Sequence, residues 1–408
     1  MSLKRSSDEA EAPRTAVVPQ PAKMTKKGTD IMRRTAFVSD ERFFWHTCGV
    51  PVMGCDVADL DVASGIFVQA SRHFENSETK RRALNLLDAC GLLAKLDTSV
   101  VKHRVATDEE LLLVHGKQYI DLLRSMEDGG DAGDFAQFGR GSFYIATLAA
   151  GTVIEAVRAV MSRSVHNAYV LCRPPGHHAE RDRGMGFCLL NNVAIAARFA
   201  RQTLGVERVA IVDYDVHHGN GTQQAFLEDD SVLFISIHQD GLYPLNSGSS
   251  DEQGTGRGKH YTINVPLPPG SGVGAYEYAF SKLVIPTLTA FRPDLLLVSS
   301  GFDASYLDPL VTMMVTAECF GRLAKSLVDL EVPAVFVHEG GYSENHAPFC
   351  GLRVVEAMCG LSESPVKTTD DGEAALYAYQ ALQPWQKAIV DESYSSNAAP
   401  CIARCESK

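Results

Sequence analysis

Two periodicities alternate along most of this chain. Short, largely apolar runs recur at Ala168–Cys172, Val209–Val212, Val232–Ile237, Tyr261–Val265, Leu295–Ser299 and Ala334–Val337. Runs of that length without polar alternation read as strands buried on both faces. Around them, apolar residues return every three or four positions over Lys80–Leu93, Ser142–Met161, Asn191–Leu204, Gly274–Phe291 and Val315–Leu330, which predicts helices. Strands alternating with helices are the rhythm of a parallel sheet with crossover helices. No internal repeat or linker interrupts the pattern after residue 35. A single doubly wound, mostly parallel α/β domain over 35–390, with helices on both faces of the sheet, is therefore expected. The length of 408 residues would by itself suggest two domains. A last outer helix is expected over about Gly372–Val390, with a flexible tail at 391–408.

Composition changes this picture at one end only. Residues 1–34 are rich in Lys, Arg, Ser, Thr and Pro, hold few large apolar side chains, and read as a disordered basic arm. Lys26-Lys27 and Arg33-Arg34 could act in nuclear import, and Asp8, Glu9 and Glu11 argue against a mitochondrial presequence. No h-region is found at the N-terminus, and no apolar run approaches the roughly 18 residues of a membrane span. The protein is therefore expected in the cytoplasm, the nucleus or both, away from membranes. The ten cysteines include no C-x-x-C pair and read mostly as small buried hydrophobes of a reducing compartment. The chain carries net charge −12, and since residues 1–35 contribute +4 (eight Lys/Arg, four Asp/Glu), the rest carries −16. That balance argues against direct nucleic-acid binding and suits a cationic substrate.

The chemistry clusters at strand ends. Val209–Val212 runs straight into Asp213-Tyr214-Asp215-Val216-His217-His218-Gly219-Asn220-Gly221, so two carboxylates and a histidine emerge together. Carboxyl ends of parallel strands are where such sheets bind ligands. Two adjacent buried carboxylates need a cation or hydrogen-bond donors to offset their charge. Three more strands end in reactive groups: Arg173-Pro174-Pro175-Gly176-His177-His178, Gly301-Phe302-Asp303 and His338-Glu339-Gly340-Gly341-Tyr342. Each alone could be a polar loop or a helix cap, but four together point to one site. Asp215, His217 and Asp303 offer three N/O ligands without a thiolate, the pattern of a catalytic rather than a structural zinc. His177/His178 could carry protons and Tyr342 could donate to an oxyanion.

These four motifs, in this order and spacing over about residues 36–360, resemble the zinc-dependent histone deacetylase family. Pro266-Leu267-Pro268-Pro269-Gly270-Ser271-Gly272 and Glu78-Thr79-Lys80-Arg81-Arg82 look closest to class II members and to bacterial histone-deacetylase-like amidohydrolases. The resemblance implies the arginase/deacetylase fold and Zn(2+) held by Asp215, His217 and Asp303. It further implies His178 as general base and then acid, with His177 as its electrostatic partner. Asp213 would orient His177, Asn220 would face His178, and Tyr342 would stabilise a tetrahedral oxyanion. A K(+) ion is implied at Asp213, Asp215, His217 and Ser236. Phe187 and Tyr243 match the aromatic walls of the substrate channel, with Gly186, Leu310 and Gly340 beside them.

The implied reaction is hydrolysis of the Nε-acetyl-lysine amide in a protein or peptide. Class IIa relatives carry His at the Tyr342 position and are nearly inactive on acetyl-lysine, so Tyr342 implies an active enzyme. Acetylpolyamine-selective relatives place Glu seven residues after the last ligand, where this chain has Leu310, which favours a polypeptide substrate. The alternatives are an amidohydrolase of acetylpolyamines or other small acylated amines, and a silent acyl-lysine-binding scaffold. Asp134 could form an acidic rim or be a solvated loop residue, and His238 and His46 read equally as structural. A homo-oligomer is left open.

Overall fold

All six expected strands form, and a seventh joins them at Thr35–Val38, β1, which is too short and too close to the polar arm to stand out. The computed structural model describes residues 33–48, 73–361, 363–368, 372 and 380–407. The other strands of this sheet are β2 (Asn167–Val170), β3 (Val209–Asp213), β4 (Val232–Gln239), β5 (Thr262–Leu267), β6 (Leu295–Ser300) and β7 (Ala334–His338). Their spatial order is β1-β2-β7-β6-β3-β4-β5, and every pairing is parallel. Nearly every residue of these strands is buried, as expected for a parallel sheet covered on both faces.

The helices around the sheet include α1 (Glu78–Ala89), α2 (Ser142–Met161), α3 (Asn192–Thr203), α4 (Asn220–Phe226), α5 (Ala317–Val328) and α6 (Ala347–Cys359), of which α4 and α6 were not expected from the periodicity. Helix α2 packs on α3, while α6 packs against α1 and α5. Against the expectation that no apolar run nears membrane length, α2 is long and apolar enough to cross a membrane, but 15 of its 20 residues are buried, which marks it as the core helix of the fold. The single helix expected over Gly274–Phe291 is interrupted: Val273–Ala279 passes through a π-turn at Phe280–Val284 into Ile285–Phe291. Pro286, lacking an N–H, cannot donate back along the helix.

The C-terminus departs most from the sequence reading. Residues 373–379 lie outside the described residues, and the outer helix α7 begins at Pro384 and runs to Ser393. The expected flexible tail is instead helical, through a π-turn at Tyr394–Ala398 into α8 (Ala399–Glu406). Val390, Ala398 and Cys401 are fully buried, and Asn397 donates to the Ser250 carbonyl. That burial offsets the ordering cost a solvated tail would avoid. At the other end, residues 1–32 of the expected arm lie outside the described residues. Arg33 pairs with Asp329, and Arg34 with Asp97.

Candidate active site

The four strands whose ends carry the motifs are immediate neighbours, β2-β7-β6-β3, at the middle of the sheet. Their ends are level, because Ser300 pairs with His338, Ser299 with Asp213, and Asp213 in turn with Ser236. Side chains distant in sequence thus converge at one carboxyl edge, where backbone amides near the strand ends lie free to orient them.

Asp215, His217 and Asp303 place one donor atom each within 4.8 Å of one another. His217 Nδ1 lies 3.1 Å from Asp215 Oδ1 and 3.1 Å from Asp303 Oδ2. Main-chain amides aim both carboxylates: Gly340 N donates to Asp215 Oδ2 at 2.8 Å, and Val216 N to Asp303 Oδ1 at 2.8 Å. Both aspartates are fully buried and His217 is nearly so. Burial and the nearby Asp215 push Asp303 above the usual carboxylate range. Burial also opposes ionisation of Asp215, but His177 and His217 outweigh it and hold that carboxyl low. Two buried carboxylates and an imidazole at these separations fit a divalent cation, and the all-N/O donor set suits a zinc that keeps an open position. Gly340 matters here, since a Cβ at that position would stand 2.2 Å from Asp303 Oδ2.

The two histidines differ in environment. His177 Nδ1 donates to Asp213 Oδ2 at 3.0 Å. Burial disfavours its charged form, but Asp215 and Asp213 raise its pKa well above the ordinary value. His178 Nδ1 donates to Asn220 Oδ1 at 2.8 Å. Burial, with the charges of His177 and His217, holds it well below. The two rings lie 4.0 Å apart. Environments that push apart the pKa values of adjacent groups are those of an acid–base site. Tyr342 is buried, and burial plus the Asp303, Asp215 and Asp308 carboxylates push its phenol well up, so it stays a donor. Ser236, beside Asp213 in register, has its Oγ 2.9 Å from His238 Nδ1.

Aromatic rings flank His178 and Tyr342. Tyr243 stands edge-on to His178 at 5.1 Å, and Phe187 to Tyr342 at 6.0 Å. Phe187 holds a φ of +68, and Gly186 before it has no room for a side chain, since a Cβ there would lie 2.3 Å from His178 Cδ2. Asp134 stands beside Tyr243, its carboxylate accepting from Tyr243 Oη at 3.1 Å. Leu310 is half-buried, its N–H donating to Asp308 Oδ1 at 3.0 Å.

Several residues of the site were not anticipated from sequence. Glu339 Oε2 accepts from Gly176 N at 2.6 Å and His177 N at 3.2 Å, tying β7 to the histidine loop. Asp308 accepts from Tyr342 N at 2.8 Å. Arg173 lies under the same loop and donates twice to Glu75, at 2.7 and 2.6 Å. Glu75 also meets Lys80 at 3.3 Å. His73 stands edge-on to Phe187 at 4.8 Å. Glu339 sits inside a recognised motif, so its position was a signal; Glu75 and Asp308 offered none. His46, Cys48 and Glu75 form a second group with metal-like spacing, but Arg173 and Lys80 already neutralise its only carboxylate.

A family model described as "Histone deacetylase domain" matches residues 73–358. The chain is 44% identical over 339 residues to a "Histone deacetylase-like amidohydrolase" of Pseudomonas aeruginosa, covering 81% of this chain and 87% of that protein. It is 40% identical to "Histone deacetylase 14, chloroplastic" of Arabidopsis thaliana, over 67% of this chain and 68% of that one. Among solved structures, the crystal structure of the HDA15 HD domain superposes with a TM-score of 0.77 at 30% identity, covering 92% of this chain and 99% of that one.

Proposed function

The chain belongs to the histone deacetylase family, and on that premise we propose that it is a zinc-dependent lysine deacetylase acting on acetylated proteins or peptides. The observation that carries this reading is the convergence of Asp215, His217 and Asp303 beside His178 and the protonated phenol of Tyr342. Zinc held by those three residues would supply Lewis acidity toward the acyl carbonyl and water. A monovalent cation would draw on Asp213, Asp215, His217 and Ser236.

The protein's own groups do the rest. The acetyl-lysyl stem passes between Phe187 and Tyr243, whose faces exclude water from it. His178, depressed and therefore neutral, takes a proton from the attacking water and returns it to the departing lysine amine. His177, charged against Asp213, remains an electrostatic partner rather than a base. Tyr342 donates to the developing oxyanion.

The choice of substrate turns on Leu310, which puts no charge at the channel mouth. The test compares kcat/KM for an acetyl-lysine peptide and an acetylpolyamine on zinc-loaded enzyme, for wild type and Leu310→Glu. Wild type should prefer the peptide, and Leu310→Glu should move the ratio toward the polyamine. A wild-type preference for the polyamine would replace this reading with a small-molecule amidohydrolase. Activity on neither substrate would indicate a binding scaffold or another acyl group.

A further inference from the structure

Beyond the ligands and the two histidines, a chain of polar groups leads away from His178 toward the surface. Asn220 accepts from His178 Nδ1 through Oδ1 at 2.8 Å. Its amide nitrogen Nδ2 donates to Glu180 Oε1 at 2.9 Å, and lies 3.4 Å from the His178 carbonyl oxygen and 3.3 Å from Met185 Sδ. Glu180 in turn accepts from Arg183 Nε at Oε2, at 2.9 Å. Its main chain is held as well: Glu180 N donates to Arg183 O at 3.0 Å, and its carbonyl lies 2.9 Å from His115 Nδ1. The Glu180 side chain is 17% exposed, so the carboxylate is mostly shielded from water.

We infer that Glu180 is a positioning residue for His178, acting through Asn220 to fix which ring nitrogen carries the proton. The reading rests on the assignment of His178 as general base. An asparagine amide has two ends of opposite character, and either could face an imidazole nitrogen. Here all three atoms around Nδ2 are acceptors: a carboxylate oxygen, a carbonyl oxygen and a thioether sulfur. Turning the amide over would set Oδ1 against those acceptors, with the charged carboxylate the strongest objection. Asn220 is thereby locked with Oδ1 toward His178. An oxygen at 2.8 Å with no hydrogen of its own requires the proton on Nδ1, which leaves the lone pair on Nε2. An aspartate at position 220 would need no such help, because both of its oxygens accept. The neutral Asn220 can hold the base in one tautomer because Glu180 stands behind it.

A mutant cycle tests this, since a residue that only braces its loop and one that orients Asn220 respond differently. Glu180→Gln should lower kcat by ~10-fold with KM little changed, the scale seen when an outer hydrogen-bond partner of a functional histidine is lost. In an Asn220→Asp background the sign should reverse. There Glu180 faces a like charge, and Glu180→Gln supplies a donor, so the double variant should be faster than Asn220→Asp alone. A loss of similar size in both backgrounds would overturn the inference and leave Glu180 as a loop brace. If Glu180→Gln alone does not fold, the comparison of Asn220→Asp with the double variant still decides it. A readout independent of turnover is the 15N spectrum of [15N]histidine-labelled, zinc-loaded enzyme, with His178 assigned by its loss in His178→Phe. Wild type should show a single Nδ1–H tautomer, and Glu180→Gln a mixture. An unchanged tautomer in Glu180→Gln would refute the role of Glu180. Full activity in His178→Phe would instead reject His178 as the base.

Discussion

Tyr342 reaches the site on Gly340-Gly341, and Asp308 fixes its backbone from the other side. Buried and beside carboxylates, its hydroxyl stays protonated and can only donate or accept a hydrogen bond. Tyr342→Phe removes that donor while keeping the ring and its contact with Phe187. The expected loss of transition-state stabilisation is roughly 2–4 kcal/mol, with kcat rather than KM affected, as for other single oxyanion donors. Steady-state kinetics on an acetyl-lysine peptide check this, and an unchanged kcat would remove Tyr342 from the mechanism. At this scale the sequence was legible wherever a residue stood in a strand-end motif. Asp213, Asp215, His217, Asp303, His177, His178 and Tyr342 all meet at one edge. Asp308 and Glu75 were not legible: each is a lone acid in a loop, and only the fold reveals what it faces.

Between elements, the His177–His178 loop is fixed by buried charge. Arg173 donates to both oxygens of Glu75, and its third nitrogen reaches the carbonyls of Phe43, Phe44 and His46. Arg173→Met would leave Glu75 buried with Lys80 as its remaining strong cation among the described residues, beside the weaker Cys48 thiol donor. Breaking a buried pair in this way should cost about 3–5 kcal/mol of unfolding free energy. Urea unfolding should show it, and a loss below about 1 kcal/mol would mean that Lys80 and Cys48 suffice without Arg173. On the far side of the same loop, His115 Nδ1 donates to the Glu180 carbonyl and its Nε2 accepts from Asn191 N at 3.0 Å, a pattern only the neutral ring satisfies. Burial pushes its pKa down to about 4. The unfolded chain binds this proton below about 6.5 and the folded protein refuses it until about 4, so the stabilisation is complete above the first value and lost as pH falls toward the second. The excess stability of wild type over His115→Gln should shrink by about 2 kcal/mol between pH 7 and pH 5. A difference independent of pH would rule out the neutral-ring account. Such links were invisible in the sequence because they join segments far apart along the chain.

For the whole molecule, buried strands bounded by polar loops give an unambiguous pattern, which is why the sheet and its parallel sense could be read in advance. The C-terminal helices could not, because their apolar residues are sparse and acquire meaning only against the surface they cover. The same topology sets the cost of leaving the site without a cation. Asp215 comes from the end of β3 and Asp303 follows β6, while the amide that aims Asp215 follows β7, so three neighbouring strands share one cluster of buried carboxylates. A metal bound there stabilises the folded state by mass action, about 4 kcal/mol when free metal stands at 1,000 times its dissociation constant. Chelation should therefore lower the unfolding free energy of wild type by that order, and added zinc should restore it. Asp303→Ala should lose bound zinc by elemental analysis and become indifferent to chelator. Full zinc occupancy in Asp303→Ala would remove Asp303 from the ligand set. A wild-type stability untouched by chelation would show that the sheet edge tolerates its buried carboxylates without metal.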